Sequence, residues 1–164
     1  MKELYLLRHG KSSWNDPTIS DVDRPLNKRG KKDAEFMGNV MRQLNLFPEI
    51  IITSTAKRAY STAKRIAGVL EYEKEKLIKD SELYDCSTEH LLNFVKSLND
   101  IYDKFLIVGH NPEITLFTNR FCNESIINIP TCGLVVIKTD SKFWNELNFG
   151  IGVLSFFEYP KKYY

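Results

Sequence analysis

The chain has 164 residues, 43% of them apolar, and a formal net charge of +2, a length that suits one domain with a sizeable core. Lysines and arginines are interspersed with acidic residues, so no charge block marks a nucleic-acid or membrane partner, and any cationic site has to be local. Cys86, Cys122 and Cys132 are odd in number and lack CxxC or CxxH spacing, which argues against a disulfide framework or a structural zinc and points to reduced packing thiols.

The opening apolar stretch is broken by Arg8 and lacks a small-residue cleavage site, and no run approaches membrane-spanning length; the expectation is a soluble, cytoplasmic protein. Leu4 to Leu7, inside LYLLRHG, suits a strand buried on both faces. A loop rich in Pro, Asp and Ser follows. Asn27 then caps a helix whose Ala34, Met37, Met41 and Leu44 repeat at three- and four-residue steps. Glu49 to Thr53 is a second, β-branched strand, and Ser54 or Thr55 is placed to cap the helix that presents Ala59, Ala63, Ile66, Ala67 and Leu70 on one face.

Leu77 and Ile78 suggest a brief strand, followed by the loop DSELYDCS. Ser87 caps a helix bearing Leu91, Leu92, Val95 and Leu98, and Asp103 to Val108 supplies another buried strand. Pro112 suits the first position of a helix running to about Cys122. Gly133 to Lys138 and Gly152 to Tyr159 read as late strands separated by a turn at Asp140 and Ser141. Strands alternating with helices predict an α/β fold on a mostly parallel sheet, to which the late strands add an antiparallel edge.

In such sheets ligands bind beyond the carboxyl ends of the strands. Arg8 and His9 end one strand, His110 follows another, and Arg58 lies just after a third. Two guanidiniums and two imidazoles on one rim would repel one another, and a bound anion relieves that repulsion; the guanidinium fork matches phosphate oxygens. Binding alone would not call for His9. Neighbouring positive charge lowers a histidine's pKa, which keeps the ring neutral and nucleophilic, and a covalent phosphohistidine divides one hard displacement into two easier ones. No HxxxH pair or carboxylate cluster suggests a metal, and no cofactor is called for. His90 reads as structural or exposed. Lys57, Lys64 and Arg65 read as a solvated helix face, and Lys11 and Arg24 either contact the wider substrate or sit in a solvated loop.

The segments RHGKSSWN (Arg8 to Asn15), STAKRAYSTA (Ser54 to Ala63) and IVGHNP (Ile107 to Pro112) together resemble the histidine phosphatase, or phosphoglycerate mutase-like, superfamily across nearly the whole chain. Thr55 and Ala56 stand where that family often has serine and proline. The resemblance implies a three-layer fold with a sheet between helices, and a metal-independent phosphatase. It makes His9 the nucleophile that becomes phosphorylated, has Arg8, Arg58 and His110 complete the phosphate pocket, and expects Asn15 to assist. DRPLNKRG, GHNP and PTCGL are most similar to the SixA-type phosphohistidine phosphatases, which implies phosphohistidine proteins as substrates. Small phosphoesters such as sugar phosphates, or phosphate binding without turnover, are the alternatives. Many relatives place an acidic proton donor after the third strand; Glu82 is the candidate in that region, set against a reading as an ordinary loop carboxylate.

Overall fold

The computed structural model describes residues 1–164. Six strands form one sheet: β1 (Lys2–Arg8), β2 (Ile50–Thr53), β3 (Leu77–Lys79), β4 (Lys104–Gly109), β5 (Leu134–Thr139) and β6 (Val153–Glu158). Their order across the sheet is β3-β2-β4-β1-β5-β6. The first four are mutually parallel, while β5 runs antiparallel to both β1 and β6. The expected mostly parallel sheet with an antiparallel edge is therefore present.

The apolar runs of β1, β2 and β4 are continuous because both faces of these strands are covered. Leu4, Leu6, Ile50, Ile52, Phe105 and Ile107 point to one side, against α3 (Thr88–Lys96) and α4 (Glu113–Cys122). Tyr5, Leu7, Ile51, Leu106 and Val108 point to the other, against α1 (Lys28–Gln43) and α2 (Lys57–Val69). This alternation follows from the two-residue period of a strand, so each run contributes equally to two cores. No helix is long and apolar enough to cross a membrane.

Two predicted caps form as the sequence indicates. Asn27 Oδ1 accepts from the Gly30 N–H at 2.8 Å, and Ser87 Oγ accepts from the His90 N–H at 3.0 Å. Satisfying one otherwise orphaned donor at a helix start is worth about 1 kcal/mol. The cap of α2 differs from expectation. Ala56 occupies that position, without a side-chain bond of its own, and the Ser54 hydroxyl accepts from the Ala56 N–H at 3.2 Å just ahead of the helix. Pro112 likewise sits at the cap of α4, one residue before its first helical position.

Two further departures have clear causes. β1 begins at Lys2, earlier than the apolar run, because the Lys2 ammonium is buried and donates to Asp103 Oδ1 at 2.9 Å and to the carbonyls of Asp100 and Tyr102. Residues 140–152 form a long excursion rather than a simple turn. They carry Trp144 fully into the core beside Phe105, where its indole N–H donates to the Tyr102 carbonyl at 2.9 Å.

Candidate active site

Register brings the site together. β1 and β4 lie side by side with Arg8 opposite Gly109, and the His9 N–H donates to the Gly109 carbonyl at 3.0 Å. The residues after both strands therefore emerge at the same point of the rim. The Ser54 N–H donates to the Val108 carbonyl at 3.0 Å, which brings the end of β2 and the start of α2 alongside. On the far side, the Cys132 N–H donates to the Arg8 carbonyl at 3.0 Å, so the PTCGL segment flanks the same point.

Two small residues let the loop after β1 close onto the helices. A β-carbon on Gly30 would lie 2.1 Å from the Lys11 carbonyl oxygen, and one on Gly10 would lie 2.9 Å from the Gly30 carbonyl oxygen. The backbones of the His9 loop and the start of α1 touch, and only glycine fits at that approach. Thr62 on α2 supplies the other fastening: its hydroxyl accepts from the Gly10 N–H at 2.9 Å and donates to the Arg58 carbonyl at 2.7 Å.

The result is an open cleft of about 520 Å³ lined by Arg8, His9, Arg58 and His110 together with Lys11, Arg24 and others. The rings of His9 and His110 lie 5.1 Å apart, centroid to centroid. His9 Nδ1 is 2.7 Å from the Gly10 carbonyl, which can only accept, so Nδ1 carries the proton. The Nε2 atom thereby keeps its lone pair, which accepts from the Arg58 Nε–H at 3.4 Å beside the cleft. His110 Nε2 lies 2.8 Å from Ser54 Oγ.

Burial, more than charge, sets the protonation of both rings. It lowers His9 to about 3, with His110, Arg58 and Arg8 adding to the effect against the Gly10 hydrogen bond. Burial also lowers His110 to about 4; Arg58, Arg24 and Arg8 act in the same direction, and Asp21 opposes them. The neighbouring charges act in the direction expected from sequence, and burial adds a larger effect that local sequence does not reveal, because it depends on how deeply a residue after a strand sits.

Asp21 is one residue of the site that the sequence does not single out. Its carboxylate accepts from Arg58 Nη2 at 3.0 Å, from Arg24 Nη2 at 3.1 Å and from the Tyr84 hydroxyl at 2.6 Å, while its carbonyl accepts from Arg58 Nη1 at 2.6 Å. The Tyr84 hydrogen bond, with help from the two guanidiniums, holds the Asp21 carboxyl well below the usual carboxylate range. Nothing in a polar loop marks such a residue, since its partners arrive from α2 and from the loop after β3. Arg24 belongs to the site as well. It hydrogen-bonds Ser12 Oγ and stacks on the exposed Trp14 ring at 3.8 Å.

Two candidates stay apart from the cluster. Asn15 is exposed, outside the cleft lining, and only its backbone N–H is engaged, with Ser13 Oγ. Glu82 lies in a neighbouring depression with Ser81, Ser87 and His90; its carboxylate is 60% exposed and 3.9 Å from His90 Nε2. The 3₁₀ turn Ser81–Leu83 buries Leu83 and turns Glu82 outward. Lys57 and Lys64 are exposed, as a solvated face requires.

Every buried side-chain polar atom without a partner lies on this cleft: Arg8 Nε, Arg24 Nε and His110 Nδ1. Buried nitrogens of this kind carry a desolvation penalty that the oxygens of an anion would offset. No group of three or more His, Cys, Asp or Glu side chains is disposed to hold a metal ion. The arrangement gathers cationic side chains around a neutral imidazole at the carboxyl ends of a parallel sheet, a constellation able to receive an oxyanion.

Comparison with known proteins places this arrangement in a family. Residues 4–105 match the model for the histidine phosphatase superfamily, branch 1, and the chain belongs to that superfamily. Over 97% of this chain and 98% of the other, it superposes with a TM-score of 0.82 and 25% identity on a structure assigned as the phosphohistidine phosphatase SixA of Agrobacterium tumefaciens. The protein histidine phosphatase SixA complexed with tungstate superposes with a TM-score of 0.83 and 20% identity, covering 98% of each chain. An uncharacterized chloroplastic protein of Arabidopsis thaliana is 29% identical over 88% of this chain and 70% of its own length. A 2,3-bisphosphoglycerate-dependent phosphoglycerate mutase of Bifidobacterium longum is 40% identical over 63 residues, 37% of this chain and 26% of the mutase.

Proposed function

We propose that the protein is a phosphohistidine phosphatase that removes the phosphoryl group of phosphohistidine proteins through a covalent intermediate on His9. The supporting observation is the His9 ring itself, whose Nδ1–H is pinned on the Gly10 carbonyl so that Nε2 stays unprotonated beside the cleft. In the first step Nε2 attacks phosphorus and the bond from phosphorus to the substrate imidazole breaks. In the second, water attacks phospho-His9, releasing inorganic phosphate and restoring the ring. Arg8 and Arg58 hold the equatorial oxygens, so the developing charge is met without a metal. An arriving dianion favours protonation of His110, which then becomes a further donor.

The openness of the cleft favours a phosphoryl group carried on a protein side chain, and the likeness to SixA structures supports the same substrate class. Cleavage of small phosphoesters is the second reading. It is favoured by Lys11 and Arg24, which extend the cationic lining beyond the phosphoryl position and suit an anionic substrate body. The mycobacterial glucosyl-3-phosphoglycerate phosphatase shares the fold, with a TM-score of 0.68 at 12% identity.

The test is a panel of a phosphohistidine peptide, a sugar phosphate and phosphotyrosine, with labelled substrate and a rapid alkaline quench. The expected result is preferential turnover of the peptide, with alkali-stable label on wild-type protein and none on the folded His9→Ala variant. Normal turnover by His9→Ala would exclude the covalent route, and preference for the sugar phosphate would select the second reading.

A further inference from the structure

Transfer of the phosphoryl group leaves a basic atom on the departing fragment, which has to gain a proton. With Glu82 turned away, three carboxyl groups line the cleft: Asp21, Asp85 and Glu113. Asp21 is committed to Arg58, Arg24 and Tyr84, and each of those bonds favours its ionised form. Asp85 is exposed to solvent. Glu113 differs in position. It begins α4, three residues after His110, and lines both the cleft and a small adjoining pocket formed by Leu83, Cys86, Leu91, Ile107 and Ile114.

We infer that Glu113 is the acid that protonates the leaving group, and the base that then takes the proton from the attacking water. The inference rests on the phosphatase reading of His9. In the first step the His9 Nε2–phosphorus bond forms, the phosphorus–leaving-group bond breaks, and the Glu113 proton passes to the departing oxygen or nitrogen. In the second, a water proton passes to the Glu113 carboxylate as the water oxygen bonds phosphorus and the phosphorus–Nε2 bond breaks. The net reaction is hydrolysis, and Glu113 ends protonated as it began.

The start of a helix ordinarily stabilises a carboxylate. Here burial against the apolar pocket outweighs that effect and, with the Asp85 charge, raises the Glu113 pKa. The groups facing it are Asp85 and Cys86 from the loop before α3 and His110 from the end of β4. Across the cleft stand Tyr84, Asp21, Lys11, Arg8, Arg24 and Arg58.

A series of aryl phosphates of rising leaving-group pKa, from 4-nitrophenyl to phenyl phosphate, tests the assignment in Glu113→Gln and Glu113→Asp variants of the full chain. An acid matters more as the leaving group becomes more basic. The expected loss of kcat/KM, which reports the step in which the leaving group departs, therefore grows in Glu113→Gln along the series to about 100-fold or more on phenyl phosphate, and Glu113→Asp restores part of it. A loss of equal size at every leaving group, or no loss at any, would overturn the assignment. Should Glu113→Gln fail to fold, the slope measured on Glu113→Asp decides by the same criterion. The series uses no phosphohistidine, so failure of the substrate reading shows in the peptide panel and leaves this test intact.

Discussion

Acid should destabilise this fold through two rings in particular. Their folded values of about 3 for His9 and about 4 for His110 stand against about 6.5 in an unfolded chain. Between the folded and unfolded values the unfolded state binds more protons, so stability falls as pH falls below about 6.5 and is fully present above it. At pH 5, about 1.5 units below the unfolded value, each ring costs about 2 kcal/mol, or about 4 kcal/mol together. That is a large share of a typical stability of about 5–15 kcal/mol. The assay is urea unfolding at pH 8 and pH 5 for wild-type protein and for the double variant His9→Asn, His110→Asn. Carboxylates titrate alike in both, so the difference isolates the two rings; wild type should lose about 4 kcal/mol more than the variant. Equal losses would refute the claim that burial holds these imidazoles neutral.

Three further outcomes follow from the geometry. Asp21→Asn weakens the charge-assisted bonds that orient Arg58 and Arg24, and should raise KM for an aryl phosphate about tenfold, equivalent to about 1.4 kcal/mol, as read from initial rates. Gly30→Ala forces a β-carbon against the Lys11 carbonyl and should cost about 1–3 kcal/mol in urea unfolding, with turnover lowered because the His9 loop must shift. Glu82→Gln should leave kcat on phenyl phosphate within about twofold of wild type, since its carboxylate faces solvent beside His90; a large loss would return it to the mechanism.

Much of the architecture was legible in one dimension. The runs LYLL, EIIIT and FLIVG are too short and too continuously apolar for amphipathic helices, and they form the central strands of the sheet. Asn27 and Ser87 were recognisable as caps because a side-chain oxygen before a periodic apolar stretch has a local partner to satisfy. Arg8, His9, Arg58 and His110 were legible because each falls at or just after a strand end, where a side chain leaves the core and enters a crevice. Asn15 and Glu82 were not resolved in this way: they lie in polar loops whose course no periodicity fixes.

By itself the sequence determined which segments become strands and helices and which polar groups stand at their ends, since those are matters of local period and local hydrogen bonding. Only the tertiary structure decided that β1 and β4, about a hundred residues apart in sequence, lie side by side in a register that sets Arg8 opposite Gly109. It alone joined Asp21 and Tyr84 to Arg58, sank His9 deeply enough to hold it neutral, and set Glu113 against an apolar pocket. Desolvation and ion pairing depend on groups distant in sequence, so they are properties of the assembled fold and have no local signal to read.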